Sequence, residues 1–306
     1  RYVRSRGVEH YEHEKNQCVI GGGSKQYAHW HPSYPRSIAR RCCMKTVIII
    51  PARYASTRYP GKPLVELTLP DGARKSLIQL SWEAACRVTG IDGVYVATDD
   101  VRIRDASNAF GADVIMTSET CRNGTERCAE ALANATLDAD LIVNLQGDAP
   151  LTPHWFVEDL IAAIKQDEAA QMATPVLRLD RLTYGHFTTD RREGRVGGTT
   201  AIFDKNNHAL YFSKEVVPFM DLEKWPADAE LPVFHHVGVY AYRPTALSAY
   251  MSWPEGTLER IEGLEQLRFL ENGETVKCVE VEGRGRVFWE LNNPEDVARI
   301  EGVIEQ

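Results

Sequence analysis

Three basic residues crowd a short loop of small side chains, Pro51-Ala52-Arg53-Tyr54-Ala55-Ser56-Thr57-Arg58-Tyr59-Pro60-Gly61-Lys62-Pro63, directly after the apolar run Val47-Ile48-Ile49-Ile50. Free backbone amides plus Arg53, Arg58 and Lys62 at the exit of a buried strand suit a polyphosphate. The order Gly-x4-Gly-Lys-Ser/Thr is absent, which disfavours a Walker-type ATPase. A second hydrophobic run ends in Asn144-Leu145-Gln146-Gly147-Asp148-Ala149-Pro150. A carboxylate emerging there can hold Mg2+, an ion that takes carboxylate and phosphate oxygens and keeps several waters, so Asp148 is the metal candidate. Asp99 and Asp100 leave a neighbouring run and fit a helix cap at least as well as a metal, so neither is assigned to one. The third feature, Asn123-Gly124-Thr125-Glu126-Arg127, opens a helix. Its amides and the Thr125 hydroxyl suit a base edge or a ribose, and Arg127 either anchors the loop or meets a phosphate; a plain capping turn has the same look.

These loops need a scaffold that delivers them to one edge. From Thr46 to about Val176, strand-length apolar runs alternate with amphipathic stretches, the pattern of a mainly parallel sheet flanked by helices. The predicted strands are Val47 to Pro51, Gly93 to Thr98, Asp113 to Met116, Leu141 to Leu145 and Met172 to Val176; the predicted helices are Leu77 to Thr89, Val101 to Phe110, Gly124 to Ala135 and Trp155 to Lys165. Ligands of such sheets sit beyond the carboxyl ends of the strands, where all three loops lie. In the second half, Leu182 to Thr200 is polar and Gly-rich and reads as a mobile loop, while Thr200 to Phe203, His208 to Phe212, His236 to Tyr242 and Val276 to Val281 read as strands. Leu258 to Asn272 reads as one helix with Leu258, Ile261, Leu264, Leu267 and Leu270 as its apolar stripe and Gly273 at its end. Asn293-Pro294-Glu295-Asp296 caps a last helix through Ile304. The expected architecture is one α/β catalytic domain with an inserted or appended sheet that could mediate self-association.

Composition narrows the function classes. With 306 residues, 43% hydrophobic and 25% charged, the chain can bury a substantial core, and no apolar run approaches the roughly 18 residues of a membrane span. A net charge of −8 argues against general affinity for nucleic acid or anionic lipid. Residues 1–43 are of another kind: eight Lys/Arg against three Asp/Glu, four of the nine His, three of the seven Cys and a Gly21-Gly22-Gly23-Ser24 tract, with no helical or alternating period. They carry +5 and leave −13 on the remainder. They lack the apolar core of a secretory signal, and neither His10-x-x-His13 nor Cys42-Cys43 has zinc-motif spacing. The expectation is a solvated or non-native extension, with the domain at 44–306 starting at Met44 as an ordinary cytosolic protein. Cys86, Cys121, Cys128 and Cys278 show no pairing pattern and are expected as reduced thiols.

The segments IIIPARYASTRYPGKPL, VATDD, NGTER, NLQGDAPL, ALYFSK, HHVGVYAYR, LEQLR and NNPEDV, in that order, resemble the 3-deoxy-manno-octulosonate (Kdo) cytidylyltransferase family, also called CMP-Kdo synthetases, over nearly all of residues 44–306. The resemblance implies a Rossmann-like nucleotidyltransferase fold with a smaller dimerisation sheet. It implies a cytosolic, Mg2+-dependent homodimer that converts CTP and Kdo to CMP-Kdo and pyrophosphate for lipopolysaccharide, with no nucleic-acid or membrane partner. The family's CTP positions fall on Pro51, Ala52, Arg53, Ser56, Thr57 and Lys62, with cytosine and ribose near Asn123, Gly124, Thr125 and Arg127. Its sugar positions fall on Gln146, His236, Tyr240, Glu265 and Gln266, and its metal aspartate on Asp148. Arg53, Lys62 and Asp148 are then the catalytic set.

The chain departs from that pattern at three places. Ala149 stands where the family's QGDEP has its acid, Thr200 where it has a lysine, and Asn292 where a second metal aspartate is usual. A carboxamide oxygen brings no charge, so weaker metal binding is expected, with Glu290 as a substitute ligand. These departures lie at the sugar and metal end. They keep open a different acidic acceptor, such as an amino-substituted Kdo or a sialic-acid relative, and a degenerate nucleotide-sugar binding protein.

Overall fold

The computed structural model describes residues 44–304 apart from 56–58, 197, 286–290, 292, 293 and 295. The extension expected at 1–43 lies outside the described residues, as do Ser56, Thr57, Arg58, Glu290, Asn292 and two residues of the cap expected for the last helix, Asn293 and Glu295. The first half runs β1 (Thr46–Ala52), β2 (Glu66–Thr68), β3 (Arg74–Ser76), α1 (Leu77–Cys86), β4 (Gly93–Thr98), α2 (Val101–Ala109), β5 (Asp113–Met116), α3 (Gly124–Asn134), β6 (Leu141–Leu145), α4 (His154–Gln166) and β7 (Met172–Arg178). The second adds α5 (Arg181–Arg192), β8 (Thr200–Phe203), β9 (Ala209–Ser213), β10 (Phe234–His236), β11 (Val239–Tyr242), α6 (Pro244–Ser252), α7 (Thr257–Glu262), α8 (Leu267–Glu271), β12 (Val276–Glu280) and α9 (Asp296–Ile304).

Ten strands make one sheet in the order β5-β4-β1-β6-β11-β7-β10-β8-β9, with β12 also pairing β7. β5, β4, β1 and β6 are parallel; β11 then joins β6 antiparallel. The small second sheet is the antiparallel pair β2–β3, whereas the strands of the second half continue the main sheet instead of forming a separate one. The chain leaves β1 toward β4 and β5 and returns to β6 on the other side of β1, so strand order reverses there. Loops after β1 and β6 diverge at such a reversal and leave a crevice between them.

β1 is apolar after Thr46 because both of its faces are covered. Ile48 and Ile50 pack with Ile78 and Ala85 of α1 and Phe156, Leu160 and Ile164 of α4. Val47 and Ile49 pack with Cys128 and Ala131 of α3, Leu247 and Tyr250 of α6 and Phe269 of α8. A strand buried on both faces shows a continuous apolar run with no alternation, which is how this one reads in the sequence. Asp100 caps α2 by accepting from the Arg102 N–H at 2.8 Å, and Asn123 caps α3 by accepting from the Glu126 N–H at 2.8 Å. No helix among the described residues is long and apolar enough to cross a membrane.

Three expectations are corrected. The loop expected at 182–200 is helix α5 over most of its length: Asp180 accepts from the Thr183 N–H at 2.6 Å, and Tyr184 and Phe187 bury against Leu179, Leu231 and Val233. Two of those partners lie more than forty positions further along the chain, so local composition does not reveal the packing. The single strand expected at 236–242 is two, β10 and β11, which pair with successive stretches of β7. The single helix expected at 258–272 breaks at Gly263, whose φ of 63° is left-handed and ends α7. The stripe it would have formed does not exist: Ile261 is 73% exposed, whereas Leu267 is fully buried.

Candidate active site

The crevice beyond β1 and β6 holds a cavity of about 250 Å³. Pro51 and Ala52 form one side, Arg53, Lys62 and Pro63 the loop side, Gln146, Gly147 and Asp148 the opposite side, and residues 121–124 and Arg127 the third. Gly61 adopts φ 71° ahead of the 3-10 turn Lys62–Leu64 and donates its N–H to the Tyr54 carbonyl at 2.9 Å, closing the loop at its base. Gly147 sits where a Cβ would lie 3.0 Å from the Pro51 carbonyl oxygen, a tight contact whose absence eases the approach of the loop after β6 to β1. The result is that Lys62 Nζ donates to Asp148 Oδ2 at 2.5 Å across the cavity. The basic loop and the Gln-Gly-Asp loop therefore face one another, although 86 residues of chain separate the pair.

The start of α3 supplies the third wall in a different manner from that expected. Thr125 is fully buried: its hydroxyl pairs with the Tyr242 hydroxyl at 2.7 Å and its N–H donates to Glu265 Oε2 at 2.9 Å. On this side Asn123 and Gly124 line the cavity and Thr125 does not. Asn123 Nδ2 donates to the Tyr250 hydroxyl at 2.9 Å, which fixes the cap to α6. Arg127 reaches the cavity but is anchored, donating to Thr117 Oγ1 at 2.5 Å and lying 3.0 Å from Asp99 Oδ1. Asp99 and Asp100 are thus a partner for Arg127 and a helix cap. Cys121 lines the same wall, and burial, reinforced by the Glu130 carboxylate beside it, pushes its thiol up to about 12; a thiolate nucleophile is not available there.

A second cavity of about 360 Å³ adjoins the first, sharing Arg53, Arg122 and Asn123 with it. The break at Gly263 carries Leu264, Glu265 and Gln266 to its wall as a turn. The Tyr240 hydroxyl donates to Gln266 Oε1 at 3.2 Å, and the buried Gln266 Nε2 has no partner among the described residues. Burial raises the pKa of the Glu265 carboxyl against the opposing pull of the Thr125 N–H. Two of the expected sugar positions lie elsewhere. Gln146 lines the first cavity, and His236 lines neither; it is buried against Thr174 Oγ1 at 2.9 Å between Phe212 and Tyr240. Burial pushes the pKa of His236 down to about 3, so it stays neutral. Its neighbour on the other side of the broken strand, Tyr240, does reach the cavity.

Sequence reasoning missed Arg122, Glu255, Glu259 and Arg268, all on the second cavity. Arg268 is 1% exposed and donates to Glu259 from Nε and Nη2, each at 2.6 Å, and to Glu126 from Nη1 at 3.3 Å. Burial works against its charge, yet the bonds to Glu259 hold it protonated above its ordinary range. The only signal in the sequence was position: Arg122 directly precedes the Asn123 turn, and Arg268 lies three residues after Glu265.

Among the described residues the donors fit a magnesium ion that takes phosphate oxygens beside a single carboxylate. Asp148 offers one partly exposed carboxylate on the first cavity, and no group of three His, Cys, Asp or Glu among the described residues could hold a metal ion. The Leu291 N–H donates to the Asp148 carbonyl at 3.0 Å, so the chain just before Asn292 runs beside Asp148.

A family model described as cytidylyltransferase matches residues 47–276. A 3-deoxy-manno-octulosonate cytidylyltransferase from Maricaulis maris (strain MCS10) is 42% identical over 261 residues, 85% of this chain and 97% of that relative. The chain belongs to the 3-deoxy-manno-octulosonate cytidylyltransferase family. An 8-amino-3,8-dideoxy-manno-octulosonate cytidylyltransferase from Shewanella frigidimarina (strain NCIMB 400) is 38% identical over 261 residues, 84% of this chain and 98% of its own. Among solved structures, a CMP:2-keto-3-deoxy-manno-octonic acid synthetase complexed with CTP matches with a TM-score of 0.72 at 33% identity, over 85% of this chain and 98% of that one. As a member of this cytidylyltransferase family the protein is a nucleotidyltransferase, and its sheet has the nucleotidyltransferase arrangement expected from the sequence.

Proposed function

We propose that the protein transfers CMP from CTP to the anomeric hydroxyl of Kdo, giving CMP-Kdo and pyrophosphate. The observation that carries this is the Lys62–Asp148 contact inside a cavity that opens onto a second one lined by Tyr240, Glu265 and Gln266. The hydroxyl oxygen attacks the α-phosphorus, the bond from that phosphorus to the bridging oxygen breaks, and the hydroxyl proton is released as pyrophosphate leaves. Arg53 and Lys62 offer cations to the departing phosphates, where charge grows most. Asn123 and Gly124 present the rim for the nucleoside, and the turn at 264–266 presents hydrogen-bonding groups to the sugar. Asp148 is the residue that would hold Mg2+, with Asn292 as a further ligand or Glu290 in its stead. When bound, that ion supplies charge neutralisation on the triphosphate and orients the two substrates.

The same proposal includes a cytoplasmic homodimer serving lipopolysaccharide synthesis. Phe219, 92% exposed, and Leu210, 62% exposed, offer apolar surface in the second half for a second copy to cover. Light scattering on the purified protein reports that assembly. The activity is tested by pyrophosphate release with CTP and Mg2+ against Kdo, 8-amino-Kdo and a sialic acid in parallel. Turnover highest with Kdo supports the proposal; preference for another acid moves the acceptor but keeps the nucleotide chemistry. Tight CTP binding without pyrophosphate release from any acceptor would make the protein a nucleotide-sugar binder.

A further inference from the structure

Two anions must meet for this reaction, a triphosphate and the carboxylate of a sugar acid, and their mutual repulsion has to be offset where the cavities join. Arg53, Arg122 and Asn123 are the residues that line both cavities, so two cations stand at the junction. The other arginine of the second cavity, Arg268, is only 1% exposed and is buried between Glu259 and Glu126. Arg53 continues directly from β1 into the basic loop, on the triphosphate side. That leaves Arg122 as the cation facing the acceptor.

Arg122 is also held ready. Glu126, one turn further along, accepts from its Nε at 2.9 Å and from its Nη2 at 2.5 Å, while Glu126 itself is braced from behind by Arg268. The guanidinium is therefore oriented by one edge while its side chain remains 56% exposed at the cavity mouth. A planar guanidinium fixed in this way matches the fork of a carboxylate. We propose that Arg122 binds the carboxylate of the acceptor sugar acid at the junction of the two cavities. The proposal rests on the cytidylyltransferase activity proposed above.

The test compares the wild type with Arg122→Gln and Arg122→Lys. Steady-state pyrophosphate release gives KM for Kdo, calorimetry without acceptor gives Kd for CTP, and the Ki of the Kdo carboxamide, which lacks the negative charge, is measured in each protein. Losing a charge-assisted contact is expected to raise the acceptor KM about 10-fold or more in Arg122→Gln, with partial recovery in Arg122→Lys. The CTP Kd stays within about twofold, and the carboxamide Ki is the same in all three proteins; these follow because only the carboxylate is lost as a partner. An unchanged acceptor KM, a loss confined to CTP, or an equal loss for Kdo and its carboxamide overturns the assignment. Wild-type protein inactive with every acceptor refutes the activity itself, a result distinct from any of these. Arg122→Lys keeps a cation beside Glu126, so it reports even if Arg122→Gln folds poorly.

Discussion

Replacing Arg268 with methionine removes a cation around which two carboxylates are folded. Arg268, Glu259 and Glu126 are 1%, 4% and 5% exposed, so the charges left behind have little water to turn to. Glu126 keeps Arg122 as a partner, and the principal orphan is Glu259, which loses two 2.6 Å bonds at once. Breaking a buried pair of this type costs about 3–5 kcal/mol, and the stack of the guanidinium 3.9 Å over the Tyr250 ring is lost with it. Denaturant titration at pH 7 should therefore show Arg268→Met destabilised by about 3–5 kcal/mol with an unchanged m-value. Adding Glu259→Gln removes the orphan charge and should recover roughly half of the loss. The pH dependence has a definite sign. An unpaired buried carboxyl has its pKa raised above the unfolded value, so the folded variant takes up a proton first, and its deficit shrinks as pH falls from 7 toward 5. Because the network flanks the turn at 263–266, the acceptor KM should rise before the CTP Kd does. A loss under about 1 kcal/mol at pH 7, or one independent of pH, would refute the picture of a buried cation neutralising Glu259.

Lys62→Ala should lower turnover about 100-fold or more and cost about 1–3 kcal/mol of stability, as read by pyrophosphate release and thermal unfolding, because its mostly buried ammonium lines the cavity and is the close partner of Asp148. Gly263→Ala places a side chain at φ 63° and should cost about 1–2 kcal/mol, with the acceptor KM raised as the turn shifts; its Cβ meets the end of the Lys214 side chain at 3.0 Å, which can move aside. His236 and His235 have pKa values pushed down by burial to about 3 and about 4, so the unfolded chain takes up protons first as pH falls through 6.5. Stability present above that pH should fall toward pH 4 by up to about 1.4 kcal/mol per pH unit for each proton, and His236→Gln should flatten the slope in denaturant titrations.

Much of the site is legible because its parts are local. A buried strand followed by small and basic residues, or by Gln-Gly-Asp, shows where a ligand edge lies, since a parallel sheet sends such loops to one side. Strands β4, β5, β6 and β8 have the bounds read from apolar runs alone. What failed has a common cause. Helix α5 is anchored by Leu231 and Val233, far along the chain, so its polar sequence hides it. The break at Gly263 cannot be told from a continuing helix by the spacing of leucines, because Leu258 and Ile261 fit a stripe that the tertiary structure leaves in water. The structure buries His236 beside Thr174 and the cavity-lining Tyr240, and where a side chain of this broken strand points depends on the β7 register, which the sequence does not show.

The sequence by itself determined the basic loop after β1, the Gln-Gly-Asp loop after β6 and the sheet that carries both, because strand runs and the loops that follow them are encoded within a dozen residues. Only the tertiary structure decided which cations are free to meet a ligand. Arg127 and Arg268 look as available as Arg122 until the fold buries them, Arg127 beside Asp99 and Arg268 between Glu259 and Glu126, whereas Arg122, although paired with Glu126, keeps a side chain 56% exposed. A charge is free or spent according to what folds against it, and that depends on contacts across the whole chain.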